Sequence, residues 1–237
     1  MSNLSFDDRL RAVVERVTPD GRESTEALIA KLVHAGATSD EALERLVRDR
    51  TVPSDLRGSG CWLLSRLGSK GARDVFLELL ADPEERIRED AAMSLSLVTS
   101  AADSVAIAAL IDKVRHDAAK SVRIAGMFTL GMMNVSAAAS VMLALLADLV
   151  EDDELRADAA EAMAHMTDDL IFDALFAALD DTSPLVRYSA AYALGEQGDS
   201  RAIAKLTDLA ADQAMTPWGT VSSSAESALE QLAARED

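Results

Sequence analysis

Apolar residues along this chain recur every three or four positions, the spacing that gathers them on one face of a helix. Near the N-terminus Leu10, Val13, Val14 and Val17 make such a face, with Ser5 placed to cap the helix and Asp8 three residues on. The run Thr18–Pro19–Asp20–Gly21 predicts its end. The clearest stretch begins at Asp181: Pro184 pre-sets the first helical turn, Val186, Ala190, Ala193 and Leu194 share a face, and Gly195 to Gly198 closes the helix. A second amphipathic helix follows on Ala202, Ile203, Leu206, Leu209 and Ala210 and runs to Asp212. Thr216–Pro217–Trp218–Gly219 predicts the start of a last helix, whose outer side is polar through Ser222 to Ser224 and the Arg235–Asp237 end.

The same frame repeats upstream. Arg57, Arg88, Arg123, Arg156 and Arg187 stand in equivalent positions, at spacings of 31, 35, 33 and 31 residues. Three residues after each comes a small one: Gly60, Ala91, Gly126, Ala159 and Ala190. Seven after comes a large apolar one: Leu64, Leu95, Leu130, Met163 and Leu194. A small residue lets two helices approach, and the large one fills the space between layers. In three repeats an acid sits six before the Arg: Asp82, Asp117 and Asp181. Weaker copies extend to Arg22 and Ser222, so the periodicity spans nearly the whole chain, and a period in this range is the signature of stacked helix pairs.

The motif Asp-x5-Arg-x2-Ala-Ala-x-Ala-Leu-Gly, matched best at 181–195 and less closely at 82–95 and 117–131, resembles the HEAT-like repeats of the phycobilisome-lyase type. The resemblance implies an all-α fold, an α-solenoid that winds as a right-handed superhelix of about seven helix pairs. No linker rich in Gly, Ser or Pro divides the chain, so one repeat domain is expected over 1–237: a capping helix at 1–21, repeats over 22–212 and a capping segment at 213–237. The repeat itself carries little functional information, because unrelated activities are built on it.

Composition narrows the function classes. Ala fills 43 of 237 positions and aromatics only 4%, which favours closely packed helices over a sandwich of strands. The net charge is −18, from 41 acidic and 23 basic residues, and no basic run is present. Binding to nucleic acid or to an anionic membrane is therefore disfavoured. No apolar stretch reaches 18 residues and Met1–Arg16 lacks the apolar core of a signal peptide, so a cytoplasmic protein is expected. With Cys61 alone, no intrachain disulfide forms. Asp (25) outnumbers Glu (16) and Arg (18) outnumbers Lys (5). Such a surface suits concentrated salt, where screening removes much of the self-repulsion, and a coding bias toward Ala, Arg and Asp gives the same composition.

No residues converge on chemistry. His34, His116 and His165 lie in different repeats at unrelated phases. Neither an H-x3-H spacing nor the His-Glu dipeptides with which the similarly built deoxyhypusine hydroxylases hold iron occurs. Cys61 occupies a slot that is Ala in other repeats and reads as a buried small hydrophobe. The chain is expected to be non-catalytic, with no cofactor and no bound metal. The recurring Asp82, Arg88, Asp117, Arg123, Arg156, Asp181 and Arg187 read as a structural ladder between repeats. Met93, Met127, Met132, Met133, Met142, Met163 and Met166 read as adaptable core filling, with Met132–Met133 in a connection.

The functional handle is taken to be the second helix of each repeat, on the concave side. Aligned on its terminal Asp, one column reads Glu78, Lys113, Asp148, Ala177 and Asp208 and its neighbour Val75, Leu110, Leu145, Ala174 and Lys205. The apolar column either faces out as a groove for a partner's segment or packs between layers. Trp218 is either a staple in the cap or an exposed anchor. The expected function is a scaffold or adaptor that engages another protein, one with a basic or helical segment, through Glu78, Lys113, Asp148, Lys205, Asp208 and Trp218. Charge reversal at Glu78, Asp148 and Asp208 is then expected to weaken binding. The resemblance to lyase repeats implies an alternative, a lyase or chaperone subunit for a tetrapyrrole-bearing protein.

Overall fold

The computed structural model describes residues 4–235. These form fourteen α-helices: α1 (Phe6–Arg16), α2 (Pro19–His34), α3 (Asp40–Arg48), α4 (Ser54–Leu67), α5 (Ala72–Leu79), α6 (Glu85–Val98), α7 (Ser104–His116), α8 (Lys120–Met132), α9 (Ala139–Ala147), α10 (Asp153–Ala162), α11 (Asp169–Ala178), α12 (Pro184–Gln197), α13 (Ile203–Leu209) and α14 (Val221–Ala233). The fold is an all-α solenoid of helix pairs. It falls into two compact units, one ending at Ala109 and one beginning at Leu110, with the division inside α7.

In the first unit α4 packs beside α6, with α3 and α5 in a second layer. Arg57, Gly60 and Leu64 of α4 are all buried, the Gly because a Cβ there would sit 2.7 Å from Val47 of α3. The N-terminal pair is tied on by Arg9, which donates to the Leu67 carbonyl at 3.2 Å and to Asp40 at 2.6 Å. Ser5 caps α1 by accepting from the Asp8 N–H at 3.1 Å. Thr18–Gly21 does not form a terminal turn after α1. Val17 is already extended, and Pro19 opens α2, so position 21 lies inside a helix. A proline with its φ preset is as good a helix start as a stop, and here the start prevails.

In the second unit α8, α10, α12 and α14 stand side by side in one layer, and α9 and α11 are neighbours in the other. The first layer is very close-packed. A Cβ on Gly131 of α8 would lie 2.6 Å from the Ala162 carbonyl oxygen of α10, and one on Gly195 of α12 would lie 2.8 Å from Cα of Ala228 in α14. The large residues Leu130, Met163 and Leu194 are fully buried between layers. Gly198 ends α12 with φ of 76°, a left-handed conformation that glycine adopts without strain.

Residues 216–219 do not begin the last helix. Met215–Thr216 pairs antiparallel with Gly219–Thr220 as a two-rung hairpin. Thr216 Oγ1 accepts the Trp218 N–H at 3.2 Å and donates to the Gly219 carbonyl at 2.9 Å. Gly219, with φ of 142°, takes a conformation foreign to a helix, and α14 starts at Val221 under a Thr220 cap.

Candidate functional site

Within each unit the recurring arginines tie helix pairs to acids further along the chain. The Arg57 guanidinium is fully buried and pairs with Asp82 at 2.6 Å while its Nε donates to the Val47 carbonyl at 2.8 Å. In the second unit Arg156 pairs with Asp181 and also donates to the Leu146 carbonyl. Arg187 reaches Asp212 at 2.7 Å. Each acid lies 25 residues beyond its Arg and also accepts the N–H two residues on, as Asp82 does from Glu84, Asp181 from Ser183 and Asp212 from Ala214. Arg88 and Arg187 donate further to the carbonyls of Asp82 and Asp181, at 2.9 and 2.7 Å. The acid thus joins two consecutive arginines, one by carboxylate and one by carbonyl. Burial opposes the charge of Asp82, but hydrogen bonds from Arg57 and the Glu84 N–H outweigh it and hold its carboxyl below the ordinary range.

Arg123 departs from this register. It pairs with Glu151, 28 residues on, at 2.6 Å. Asp148, the residue 25 beyond Arg123, lies just past the end of α9 and accepts the Val150 N–H at 3.0 Å, so it is on a loop and not on a helix face.

The other columns read from the sequence are largely occupied. Val75, Leu110 and Leu145 are buried and pack between layers, so they form no groove. Glu78 pairs with Arg48 at 2.7 Å and Lys113 with Asp117 at 3.4 Å. Lys205 pairs with Asp180 at 2.6 Å, donates to the Phe176 carbonyl at 2.8 Å and lies over the Phe176 ring. Asp208 is exposed on α13. Trp218 stands 64% exposed at the hairpin tip. Met127, Met142, Met163 and Met166 are buried, whereas Met93 and Met132 are exposed. Cys61 is buried and its thiol is pushed up to about 12, chiefly by desolvation, which leaves it inert near neutral pH. His116 faces Asp112 at 2.9 Å. Among the described residues no group of His, Cys, Asp and Glu could hold a metal ion, and no helix is long and apolar enough to cross a membrane.

A different register gathers the exposed apolar side chains. Five residues after the Arg of each repeat come Trp62 and Met93 in the first unit and Phe128, Glu161 and Tyr192 in the second. In the first unit Met93 and, one turn on, Leu97 are exposed, and Arg66 lies over the Trp62 ring at 4.4 Å. In the second unit Phe128 and Met132 of α8 and Tyr192 of α12 are exposed in the same way. Between them α10 presents Glu154, Asp158 and Glu161, one turn apart. A shallow cleft joins these acids to Leu185, Tyr188 and Ser189 of α12 and to Trp218. Burial, then the charges of Glu161 and Glu154, push the Asp158 carboxyl up to about 6, against the pull of Lys120. Desolvation raises Glu161 as well, and Tyr192 is raised by desolvation and by Glu196 and Glu161. The columns read from the sequence do not include this register. Its signal was present in the Arg frame, at the fifth residue after each Arg.

The sequence matches the HEAT repeats family over residues 39–131 and 141–230, most of the chain, and the protein belongs to that family. No curated protein matches the chain in sequence. Among solved structures, E. coli YibA superposes with a TM-score of 0.59 at 18% identity, over 97% of this chain and 82% of that one. The complex of CpcE and CpcF of phycocyanin lyase from Nostoc matches with a TM-score of 0.48 at 18% identity, over 98% and 96%. A designed armadillo repeat protein matches with a TM-score of 0.49 at 18% identity, over 80% and 98%.

Proposed function

We propose that this protein is a scaffold that binds another protein, and that in the second unit the contact surface is the exposed face of α8, α10 and α12 with the Trp218 hairpin. The observation that carries this reading is Phe128 and Met132 of α8, Tyr192 of α12 and Trp218 of the hairpin, large apolar or aromatic side chains left in solvent. Exposed clusters of this kind mark protein contacts, and aromatic residues are favoured as their anchors. The repeat family supports the reading in general terms, since stacked helices offer an extended surface that loops do not interrupt. In this reading the contact lies on the Arg-bearing layer and not on the column containing Glu78 and Asp208, whose Glu78 and Lys113 already serve ion pairs within the fold.

The test is affinity capture from lysate with the wild type, with Phe128→Ser/Tyr192→Ser/Trp218→Ser, and with Glu78→Lys/Asp208→Lys. The triple variant, with its melting temperature kept within a few degrees, is expected to lose a partner that the charge-reversed variant retains. Retention by the triple variant overturns the assignment of this face.

A further inference from the structure

The partner's chemistry follows from what lies among those exposed aromatic groups. We infer that this face receives an extended basic segment of another protein, one of whose Arg or Lys side chains lies across the shallow cleft lined by Trp218, Tyr188, Asp158 and Glu161, its charged end at the two carboxylates. The inference rests on the reading of the face as a protein contact and adds the identity of what it grips.

The contrast with the rest of the molecule carries the argument. Asp82, Asp181, Asp212 and Glu151 each pair with an arginine of the chain. Glu154 meets Lys120 at 2.5 Å. Asp158 and Glu161 have no ion pair among the described residues, although they sit one turn apart on α10 and Asp158 is half-buried. Two adjacent acids partly removed from water repel one another, and a cation brought between them relieves both the repulsion and the lost hydration. The cleft's other wall suits an organic cation better than a bare ion. Trp218 and Tyr188 line it with aromatic rings, a residue type whose faces attract guanidinium or ammonium groups, and Leu185 offers an apolar surface for the methylenes of a long basic side chain. A divalent metal wants three or more protein oxygens converging on a point, and no such group exists among the described residues. Beyond the cleft, Phe128, Met132 and Tyr192 continue the face for a segment longer than one residue, and the charge of −18 steers a basic chain toward it.

The experiment uses the full chain and a fluorescein-labelled (Arg-Ser)4 peptide, read by anisotropy at low salt. Binding is expected, and is expected to vanish for the same peptide with citrulline in place of Arg. Asp158→Asn/Glu161→Gln should weaken it by about tenfold or more, as removal of a charged partner does. Asp173→Asn/Asp20→Asn removes equal charge at exposed positions and should leave it within about twofold. Trp218→Ala, which changes no charge, should weaken binding about fivefold, within the range of a cation–ring contact. In a Trp62→Phe background the peptide should shift the remaining Trp218 emission. Equal losses in the two charge variants with no effect of Trp218→Ala would mean diffuse attraction only and overturn the inference. Calcium ions that displace the peptide at micromolar concentration, with the same dependence on Asp158 and Glu161, would make this an ion site and likewise overturn it. Failure of the peptide to bind, with protein capture still lost in the triple variant, discards the basic partner and leaves the scaffold reading standing.

Discussion

Two arginines set the residue scale. Arg57 and Arg156 are among the largest fully or nearly fully buried side chains in the protein, and each has its charge met by an acid 25 residues on and by a backbone carbonyl. Burying such a pair gives little net stability, but removing one partner strands the other. Arg156→Met should therefore cost about 3–5 kcal/mol in urea denaturation of the second unit, and adding Asp181→Leu should recover most of that loss. Asp158 behaves oppositely. Its carboxyl titrates at about 6 in the folded chain against an ordinary 3.8, so between these values the folded state holds a proton that the unfolded state has released. Stability then falls as pH rises from 4 to 6, and the loss is complete above that. Asp158→Asn is expected to flatten this part of the pH–stability curve and to raise the melting temperature at pH 7. An unchanged curve would show that Asp158 does not titrate in this window.

At the scale of the element, helix spacing is governed by what is missing from side chains. Gly131 allows α8 to meet the backbone of α10, and Gly195 allows α12 to meet α14. A methyl group at Gly131 meets backbone and not a flexible side-chain end, so the helices must separate. Gly131→Ala is expected to destabilise the second unit by about 1–3 kcal/mol despite its better helix propensity. Far-UV circular dichroism during thermal melting checks this, and a gain in stability would mean the layer has slack. Phe128 and Tyr192, each the fifth residue after an Arg, are left exposed on this layer.

For the whole molecule, two compact units and a net charge of −18 set the behaviour. Each repeat contacts its neighbours, so denaturation is expected to depart from a single two-state transition, with urea profiles fitted better by two steps. The excess of 18 negative charges repels itself at low ionic strength. Raising NaCl from about 0.05 to 1 M shortens the Debye length to about 3 Å and is expected to raise the melting temperature. A flat response would separate the composition from any adaptation to salt.

The helical class, the period of the repeat and the large buried residue of each repeat were legible in the chain alone. Spacing of apolar residues is a local property, and each Arg, small residue and large residue recurs in a frame that survives the changes of loop length. Leu64, Leu95, Leu130, Met163 and Leu194 are all fully buried. Tertiary structure decided the rest, because it depends on which group meets which across distances that a one-dimensional frame does not encode. It turned 216–219 into a hairpin through the hydroxyl of Thr216 and the backbone of Gly219. It placed Asp148, read as part of a charged helix column, on a loop, and it paired Arg123 with Glu151. It closed the apolar column of Val75, Leu110 and Leu145 between layers and engaged Lys205 with Asp180. And it brought Trp218, remote in sequence from α10, to the carboxylates of Asp158 and Glu161. A face for binding is made of side chains that packing has left over, and what is left over is known only once the packing is complete.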